Sequence, residues 1–396
     1  MKPKICIITL GCKVNQYESD NIASQLTDFK VVTKLEYADI YIVNTCAITG
    51  YAEKKSRYQI SRIVRFDPNA RIIVCGCASE LDVKQFNSPN IIQIYGTDKS
   101  KILTEIKNMY KELPCKPTQK PGNRNRVFIK AQDGCDNFCS YCIVPYLRGR
   151  SQSREIGEVI GEINALPELV REVVLTGIDL SSFNNLNELC KQVDNTGRVF
   201  RLSSIEARII TPDFLQTLKR CKNFCPSFHV PLQSGSDDVL KSMNRRYTTE
   251  EYLEKINLVR SIFPNAQITT DIICGFPTET EHNFNETIET VKQAKFLHAH
   301  IFPYSARSGT VAAKLQQLQS SIITERTKKL IYIQNQIKKD IVKTYTNKTI
   351  NVLFEYHKNG YSYGTSREYL SVKAKGNYAF DWQEITINSD TNQIII

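Results

Sequence analysis

Short apolar runs alternate with amphipathic segments along the first part of this chain of 396 residues. Runs rich in Ile and Val are typical of buried parallel strands, and segments with apolar residues every three or four positions are typical of the helices between them. The predicted strands are Lys4 to Leu10, Ile40 to Asn44 and Arg71 to Val74, and the predicted helices are Asn15 to Asp28 and Ala52 to Phe66. Residues 1–112 are therefore predicted to form an open α/β sheet domain.

The alternation stops at residues 113–125, which are basic, contain proline and lack apolar periodicity, so we predict a linker there. It then resumes with six predicted strands: Val127 to Ala131, Glu172 to Leu175, Phe200 to Ile205, Ser227 to Leu232, Gln267 to Ile273 and His300 to Tyr304. Helical stretches separate them, among them Pro212 to Arg220, Thr249 to Ile262 and Asn283 to Lys295. Residues 126–345 are predicted to form a (β/α)6 partial TIM barrel, with its chemistry at the carboxyl ends of the strands.

A long helix from Thr324 to Tyr345 is predicted to cover the barrel, and residues 346–396 are predicted to form a small β-barrel of short alternating strands. This last domain mixes aromatic and basic side chains, which can stack bases and hold phosphates. These side chains are Tyr361, Tyr363, Arg367, Tyr369, Lys373 and Lys375. Each tyrosine could equally belong to the core or to a cross-strand pair.

Composition is that of a globular protein, with 41% apolar and 23% charged residues. No apolar run is long enough for a signal peptide or a membrane span, so we expect a cytoplasmic protein without a membrane partner. The net charge of +11 predicts attraction to polyanions such as RNA.

Thirteen cysteines in a chain without an export signal indicate reduced thiols and metal ligation. Cys135, Cys139 and Cys142 follow the first predicted barrel strand, and their C-x-x-x-C-x-x-C spacing can supply three thiolates to one iron–sulfur cluster. Because such clusters ordinarily take four cysteines, the fourth iron would be open to a small molecule. The alternative is a zinc knuckle, but zinc prefers C-x-x-C pairs with a fourth ligand nearby, and the nearest histidine is His229.

Three further cysteines, Cys12, Cys46 and Cys77, each follow a predicted N-terminal strand. The carboxyl ends of strands in an open α/β sheet form the ligand crevice, so these thiols are predicted to converge there. Each one alone could be a small buried residue. Six of the seven remaining cysteines are assigned to packing, with Cys75 as a possible substitute ligand: Cys6, Cys75, Cys190, Cys221, Cys225 and Cys274.

Polar residues recur at the other predicted strand ends and could hydrogen-bond a nucleoside sulfonium, although each could also be a cap or turn residue. They are Thr176, Gly177, Asp179, Ser203, Ser204, Glu206, Gln233, Ser234, Asp271 and Gly275.

As a set, these motifs resemble the radical-SAM methylthiotransferase family, and the resemblance extends over the whole chain. It is carried by Leu10 to Ser19, Asn44 to Thr49, Gly76-Cys77, Gly134 to Arg150, Arg201 to Glu206, Pro231 to Ser236 and Gly275 to Thr280, with a TRAM-like RNA-binding domain at the end. Ala78-Ser79-Glu80 departs from the aromatic and glutamine usual in the family.

The resemblance implies two 4Fe-4S clusters and S-adenosyl-L-methionine as cofactors. The cluster on Cys135, Cys139 and Cys142 would cleave S-adenosylmethionine to a 5′-deoxyadenosyl radical, and the cluster on Cys12, Cys46 and Cys77 would carry the sulfur. Tyr141 would flank the adenine of the cofactor. Further cofactor contacts are expected from Gly177, Ser204, Glu206, Gln233 and Ser234.

Lys13 and the residues after it resemble the branch that adds a methylthio group to carbon 2 of N6-threonylcarbamoyladenosine, at position 37 of tRNA. That branch implies two partners, the tRNA anticodon stem-loop and an electron donor such as a flavodoxin or ferredoxin. Four arginines are candidates to meet the threonylcarbamoyl carboxylate or tRNA phosphate: Arg148, Arg150, Arg245 and Arg246. The alternatives are the isopentenyladenosine branch, the branch acting on an aspartate of a ribosomal protein, and a non-catalytic iron–sulfur RNA-binding protein.

Overall fold

The structure, a computed structural model, describes residues 2–110, 124–388 and 392–395. Its first five strands form a parallel sheet in the order β2-β1-β3-β4-β5. The strands are β1 (Lys4–Thr9), β2 (Lys30–Val32), β3 (Ile40–Thr45), β4 (Ile72–Gly76) and β5 (Ile91–Ile94), and the helices are α1 (Lys13–Gln25), α2 (Gly50–Phe66), α3 (Cys77–Leu81) and α4 (Ser100–Met109). The predicted open α/β sheet is confirmed, and the predicted linker lies outside the described residues except at Arg124 and Asn125.

This strand order is that of a doubly wound sheet, in which the chain reverses direction between β1 and β3. Alternate residues of the strands pack on opposite faces, as the period of two requires. Tyr41 and Val43 pack with Ile63 of α2, whereas Ile40 and Ile42 join the cluster that α1 and α4 cover. The crevice at the reversal lies beyond the carboxyl ends of β1 and β3, where Cys12 and Cys46 follow.

The central part of the chain forms a curved row of six parallel strands in the order β6-β9-β10-β11-β12-β13, with two short strands, β7 and β8, paired beside it. The strands are β6 (Arg126–Lys130), β7 (Gln132–Asp133), β8 (Gln152–Ser153), β9 (Glu172–Thr176), β10 (Val199–Leu202), β11 (Ser227–His229), β12 (Gln267–Cys274) and β13 (His298–Pro303). The helices are α5 (Val144–Arg148), α6 (Ile156–Asn164), α7 (Leu186–Asn195), α8 (Pro212–Arg220), α9 (Asp237–Ser242), α10 (Thr249–Ile262), α11 (Glu281–Ala294) and α12 (Ser320–Lys343). The (β/α)6 partial barrel is confirmed.

The barrel is open on one side, because no strand pairing within the described residues joins β13 to β6. Helix α1 of the N-terminal sheet lies against β6 at this opening. Ile268 and Ile272 of β12 pack outward against the helices. By the alternation of a strand, Thr269 and Asp271 therefore face the barrel interior.

The long helix α12 spans Ser320–Lys343, close to the predicted range, and packs along β13. Of the helices that the structure describes, none carries an apolar stretch long enough to cross a membrane. The last strands form an antiparallel sheet in the order β17-β14-β15-β16-β18, the half-barrel form that a TRAM-like domain predicts. They are β14 (Thr349–Lys358), β15 (Tyr361–Ser366), β16 (Ser371–Lys375), β17 (Trp382–Thr386) and β18 (Asn392–Ile394).

This last sheet is joined to the amino-terminal ends of the barrel strands by polar contacts. Asn125 Nδ2 donates to the Phe354 carbonyl at 2.7 Å, and Arg126 forms an ion pair with Glu355 at 2.7 Å. The N-terminal sheet lies at the barrel mouth, at the opposite ends of the strands.

A candidate active site with two cysteine triplets

The first triplet lies on the loop between β7 and α5. Gly134 precedes Cys135 with φ +71°, and a Cβ at Gly134 would lie 2.0 Å from the Arg150 carbonyl oxygen, so only glycine fits there. The Cys135 amide donates to the Gly149 carbonyl at 3.1 Å, and the Ser140 hydroxyl donates to the Ser242 carbonyl at 2.8 Å. The loop is thereby fixed at both of its flanks.

Burial raises the pKa of the Cys135 thiol to about 11 and that of the Cys142 thiol to about 12. These thiols are therefore neutral unless an electropositive group such as an iron–sulfur cluster holds them as thiolates. In the described part of the chain, the one group of three His, Cys, Asp or Glu residues close enough to hold a single metal ion is His229, Asp271 and His300. Neither cysteine triplet forms such a group, so the spacing of the thiols disfavours a single zinc ion. Cysteine thiols are the donor set that an iron–sulfur cluster takes.

A buried arginine, Arg245, connects the first triplet to the barrel. Its Nη1 donates to Cys139 Sγ at 3.3 Å, its Nη2 forms an ion pair with Glu206, and its Nε donates to the Tyr247 hydroxyl at 3.2 Å. Burial raises the pKa of Glu206, although the charge of Arg245 opposes this rise. The prediction that Arg245 meets a substrate carboxylate is not favoured, since its guanidinium is already bound to Cys139 and Glu206.

The predicted cofactor residues lie around this mouth in different environments. Tyr141 packs against Val239, Met243 and Phe276, and burial raises the pKa of its hydroxyl well above the usual range. Gly177 lies against Gln132: a Cβ there would be 2.7 Å from the Gln132 Oε1 atom.

The other predicted cofactor contacts follow β10 and β11. Ser204 pairs with His229 between the two sheets, and Gln233 has φ +67° at a turn beyond β11. Ser234 is buried with its Oγ 3.4 Å from Thr287 Oγ1, so its hydroxyl takes part in packing α11 against the turn. Contact of these residues with S-adenosylmethionine stays a prediction.

Among the residues that the structure describes, two buried hydroxyls near the mouth find no hydrogen-bond partner, which is uncommon for buried polar groups. They are Ser203 Oγ, just beyond β10, and Tyr304 Oη, whose ring contacts the Phe276 ring with centroids 5.5 Å apart. Tyr304 also packs in the apolar cluster that includes Tyr141. Such unpaired hydroxyls fit a site for a polar cofactor.

The second triplet lies at the carboxyl ends of three neighbouring strands of the N-terminal sheet. Cys12 precedes α1, Cys46 follows β3, and Cys77 begins α3. A Cβ at Gly11 would lie 2.8 Å from Cys46 Sγ, so the Cys46 thiol lies against the backbone beside Cys12. Burial raises the pKa of Cys46 to about 11, and the charges of Cys12 and Cys77 contribute to this rise, which places the three thiols near one another.

Cys75, the possible substitute ligand, is fully buried in the apolar cluster beneath α1 and α4. Cys6 is also fully buried, in the cluster beneath α2. Both positions agree with packing. Their assignment, like the ligand role of the three other thiols, stays a prediction.

Arg148 of α5 reaches from the barrel into this second triplet and is buried, with 2% of its side chain exposed. Its Nε donates to Cys77 Sγ at 3.4 Å and its Nη2 donates to Asn15 Oδ1 at 2.8 Å. It also forms ion pairs of 3.0 Å with Glu18 of α1 and with Asp133, two residues before Cys135. One guanidinium thus joins the two triplets, which sequence could not reveal because Glu18 and Arg148 are 130 positions apart.

We expect replacement of Arg148 by Met to destabilise the cluster-free protein by about 1.5 to 3 kcal/mol, because it removes charged hydrogen bonds to Glu18 and Asp133 while Glu18 keeps its ion pairs with Lys99 and Lys130. Urea denaturation measures this change. The matched control is Arg150→Met on the same loop: Arg150 is 72% exposed in its ion pair with Asp136, and its loss should change the free energy of unfolding by less than about 1 kcal/mol. Equal effects of the two substitutions would contradict the role given to Arg148.

A polar cluster lies inside the barrel below the mouth. His229 Nε2 is 3.1 Å from Asp271 Oδ2 and its Nδ1 is 2.8 Å from Thr269 Oγ1. Lys13, which follows Cys12, is near this cluster, since its charge acts on both Asp271 and His300. Burial, together with the charge of the Arg201 guanidinium, lowers the pKa of Lys13 to about 8. The nearby ammonium makes the cluster an unfavourable place for a metal cation.

Two family models match the chain, one over the part that carries each cysteine triplet. Residues 129–291 match the Radical SAM superfamily, and residues 4–94 match a family described as uncharacterized protein family UPF0004. Among solved structures, the radical S-adenosylmethionine methyltransferase TsrM from Kitasatospora setae superimposes with a TM-score of 0.59 at 14% identity, over 79% of this chain and 74% of that one. This likeness shows the fold.

Characterised relatives cover nearly the whole chain. The threonylcarbamoyladenosine tRNA methylthiotransferase MtaB of Bacillus subtilis is 34% identical over 93% of this chain and 89% of its own length. The protein of the same name from Thermotoga maritima is 32% identical, over 98% and 95%. A tRNA-2-methylthio-N(6)-dimethylallyladenosine synthase from Alkaliphilus oremlandii is 33% identical, over 89% and 82%. The chain belongs to the radical-SAM tRNA methylthiotransferase family.

Proposed function

We propose that this protein adds a methylthio group to carbon 2 of N6-threonylcarbamoyladenosine, beside the anticodon of tRNA. The observation that carries the proposal is the joining of two cysteine triplets by Arg148, which contacts Cys77 in one and Asp133 next to the other. Two sites held this close can act on one substrate atom. When bound, a cluster on the first triplet would supply the electron that cleaves S-adenosylmethionine, and one on the second would supply sulfur.

The chain's own residues bind and orient these groups. Cys135, Cys139 and Cys142 would hold the first cluster, and Cys12, Cys46 and Cys77 the second. Arg245 and Arg148 each donate to one thiol of a triplet, an interaction that stabilises a thiolate ligand and fixes its orientation. Tyr141 packs on the apolar cluster of Val239, Met243 and Phe276, which fixes the position of its ring at the mouth.

The polarity of the barrel interior supports the threonylcarbamoyl substrate over an isopentenyl one. Sequence identity does not separate the threonylcarbamoyladenosine and isopentenyladenosine branches, because relatives named for either substrate are about equally similar to the chain. The interior presents the ammonium of Lys13, the carboxylate of Asp271 and the imidazole of His300. An apolar substituent would leave the ammonium of Lys13 without a partner at a cost of roughly 1 to 3 kcal/mol, whereas carbamoyl, hydroxyl and carboxylate groups can bond to the polar interior.

The test is to offer the reconstituted enzyme equal amounts of two anticodon stem-loops, one with N6-threonylcarbamoyladenosine and one with isopentenyladenosine. We expect the threonylcarbamoyl substrate to be methylthiolated preferentially, measured by mass analysis of the nucleosides. Preference for the isopentenyl substrate would contradict the proposal and assign the protein to the isopentenyladenosine branch. Cleavage of the cofactor without any methylthiolated product would support neither.

We further propose a cytoplasmic location, where tRNA is available, and a flavodoxin or ferredoxin as the electron donor. Reduction of the reconstituted protein by a purified flavodoxin system, followed by absorbance, tests the donor. A failure of flavodoxin and ferredoxin alike to support turnover would exclude both.

A basic aromatic face of the C-terminal sheet is proposed to bind tRNA. Tyr361 pairs with Lys375 and Tyr363 with Lys373 across β15 and β16, so these four side chains share one face. Tyr356 stacks on Tyr363 with ring centroids 4.9 Å apart. The face offers both stacking surfaces and charges for phosphate.

The two other predicted RNA residues lie elsewhere. The Tyr369 ring packs on the Arg201 guanidinium of the barrel, with 5.2 Å between the ring centroid and Cζ, and Arg367 packs on Trp382 at 5.8 Å. Their contacts are with the barrel and within the sheet, and these contacts do not favour a role in binding RNA.

Replacing Lys373 and Lys375 together by Gln should weaken tRNA binding and make its salt dependence shallower. Two lost phosphate contacts should reduce the slope of log K against log salt by roughly 1.4 to 1.8. The control is Lys328→Gln with Lys339→Gln, which removes the same charge from exposed positions of α12. Identical salt slopes for both double variants and wild type would show that this face does not contact phosphate.

A further inference from the structure

Lys13 is the first residue of α1, and α1 lies against β6 at the open side between β6 and β13, so the Lys13 side chain starts at the opening of the barrel. The charged groups that act most strongly on its ammonium are on four different barrel strands, β10, β12, β6 and β9. They are Arg201, Asp271, Arg126 and Glu172.

Both carboxylates in this environment already have partners. Glu172 forms ion pairs with Arg126 at 2.9 Å and with Arg201 at 2.7 Å, and Asp271 contacts His229 at 3.1 Å. Within the described residues, Lys13 forms no ion pair of its own. It is a largely enclosed cation near two further cations, which is an arrangement that favours binding of an anionic group.

The other basic residues around the site are not free to meet such a group inside the barrel. Arg148 and Arg245 are bound to glutamates and thiols, as described above. Arg150 is exposed and paired with Asp136, and Arg246 is exposed in the loop after α9. Lys13 is therefore the cation best placed for an anionic part of the substrate.

We propose that Lys13 binds the carboxylate of the threonylcarbamoyl group and so determines which modified adenosine this enzyme accepts. This inference rests on the proposed function and deepens it. Because Lys13 directly follows Cys12, a nucleoside held by its ammonium lies beside the triplet proposed to carry sulfur. Substrate recognition by Lys13 and placement of the substrate at the reacting site beside Cys12 then depend on two adjacent residues at the start of α1.

Two side chains of β13 complete the pocket. His300 and Phe302 alternate with the outward-packed Ile301, so they face the interior, and their rings stack with 6.4 Å between centroids. The Phe302 side chain is 42% exposed, which leaves an aromatic surface on which a flipped-out base can stack. Burial lowers the pKa of His300, so its neutral ring can donate one hydrogen bond to a carbonyl or hydroxyl of the substituent.

The experiment compares wild-type protein with Lys13→Gln on two anticodon stem-loops, one with natural N6-threonylcarbamoyladenosine and one in which a primary amide replaces the carboxylate. Affinity is measured on the cluster-free protein, and kcat/KM on the reconstituted enzyme. For the natural substrate we expect Lys13→Gln to weaken affinity and lower kcat/KM roughly 10- to 100-fold, the size of one charged hydrogen bond. For the amide substrate we expect wild type and Lys13→Gln to agree within about threefold.

The matched control is Lys101→Gln, which removes the same charge from an exposed position of α4 and should behave like wild type on each of the two substrates. Folding is checked separately: loss of an enclosed cation without an ion-pair partner should leave the unfolding midpoint unchanged or raise it. An equal loss on both substrates, or no loss on either, would overturn the role of Lys13. A wild-type preference for isopentenyladenosine would instead overturn the proposed function itself.

Discussion

Replacement of Cys139 by Ala is expected to lower the iron content of the reconstituted protein from about eight to about four per chain, and to abolish formation of 5′-deoxyadenosine. Cys139 is the thiol that accepts a hydrogen bond from the buried Arg245, so its loss removes a ligand and leaves that guanidinium without its sulfur partner. Iron analysis and chromatography of the cleavage products measure the two effects.

The control for this experiment is Cys190→Ala, since Cys190 is fully buried in the barrel core away from both triplets. It should keep about eight irons and full cleavage, with only the modest loss of stability that a small core cavity brings. Cofactor cleavage by the Cys139→Ala protein would show that the electron is delivered from another place in the molecule.

Replacement of Cys46 by Ala is expected to abolish methylthiolation while cofactor cleavage continues. Cys46 lies against Gly11 beside Cys12, and Ala cannot ligate iron, so the second site should lose about four irons. The first triplet is on a separate loop with its own anchors at Ser140 and Gly149, and it should remain intact. Mass analysis of tRNA nucleosides together with assay of 5′-deoxyadenosine separates the two functions.

Cys75→Ala is the matched control, because Cys75 is two residues from Cys77 but buried on the other side of the sheet. It should keep both activities. Methylthiolated product from the Cys46→Ala protein, or loss of product in the Cys75→Ala protein, would mean that the sulfur site has a different set of ligands.

The strands could be predicted wherever local sequence decides the outcome. β1, β3 and β4 are continuous runs of buried apolar residues, and such runs are favoured as central strands of a parallel sheet. The edge strands β2 and β5 were not predicted, because they are short and only partly buried. The predicted strand from Ser227 to Leu232 ends at His229, since the chain then turns towards Gln233 with its positive φ.

The contacts between distant parts of the chain could not be predicted in the same way. Sequence placed six cysteines at strand ends, because strand ends are recognisable locally. It did not indicate that Arg148 would bind Glu18 and Cys77, or that Arg245 would bind Cys139, since these pairs depend on how two sheets meet. For the same reason the side chain of Lys13, recognised only as part of a motif, could not be placed inside the barrel.

The most direct test of the central claim is the nucleoside content of tRNA from a strain that lacks this protein. We expect the 2-methylthio derivative of N6-threonylcarbamoyladenosine to disappear and its unmethylthiolated precursor to accumulate, and the wild-type chain to restore the product where the Cys46→Ala chain does not. Unchanged threonylcarbamoyl nucleosides, with loss of 2-methylthio-isopentenyladenosine instead, would contradict the account.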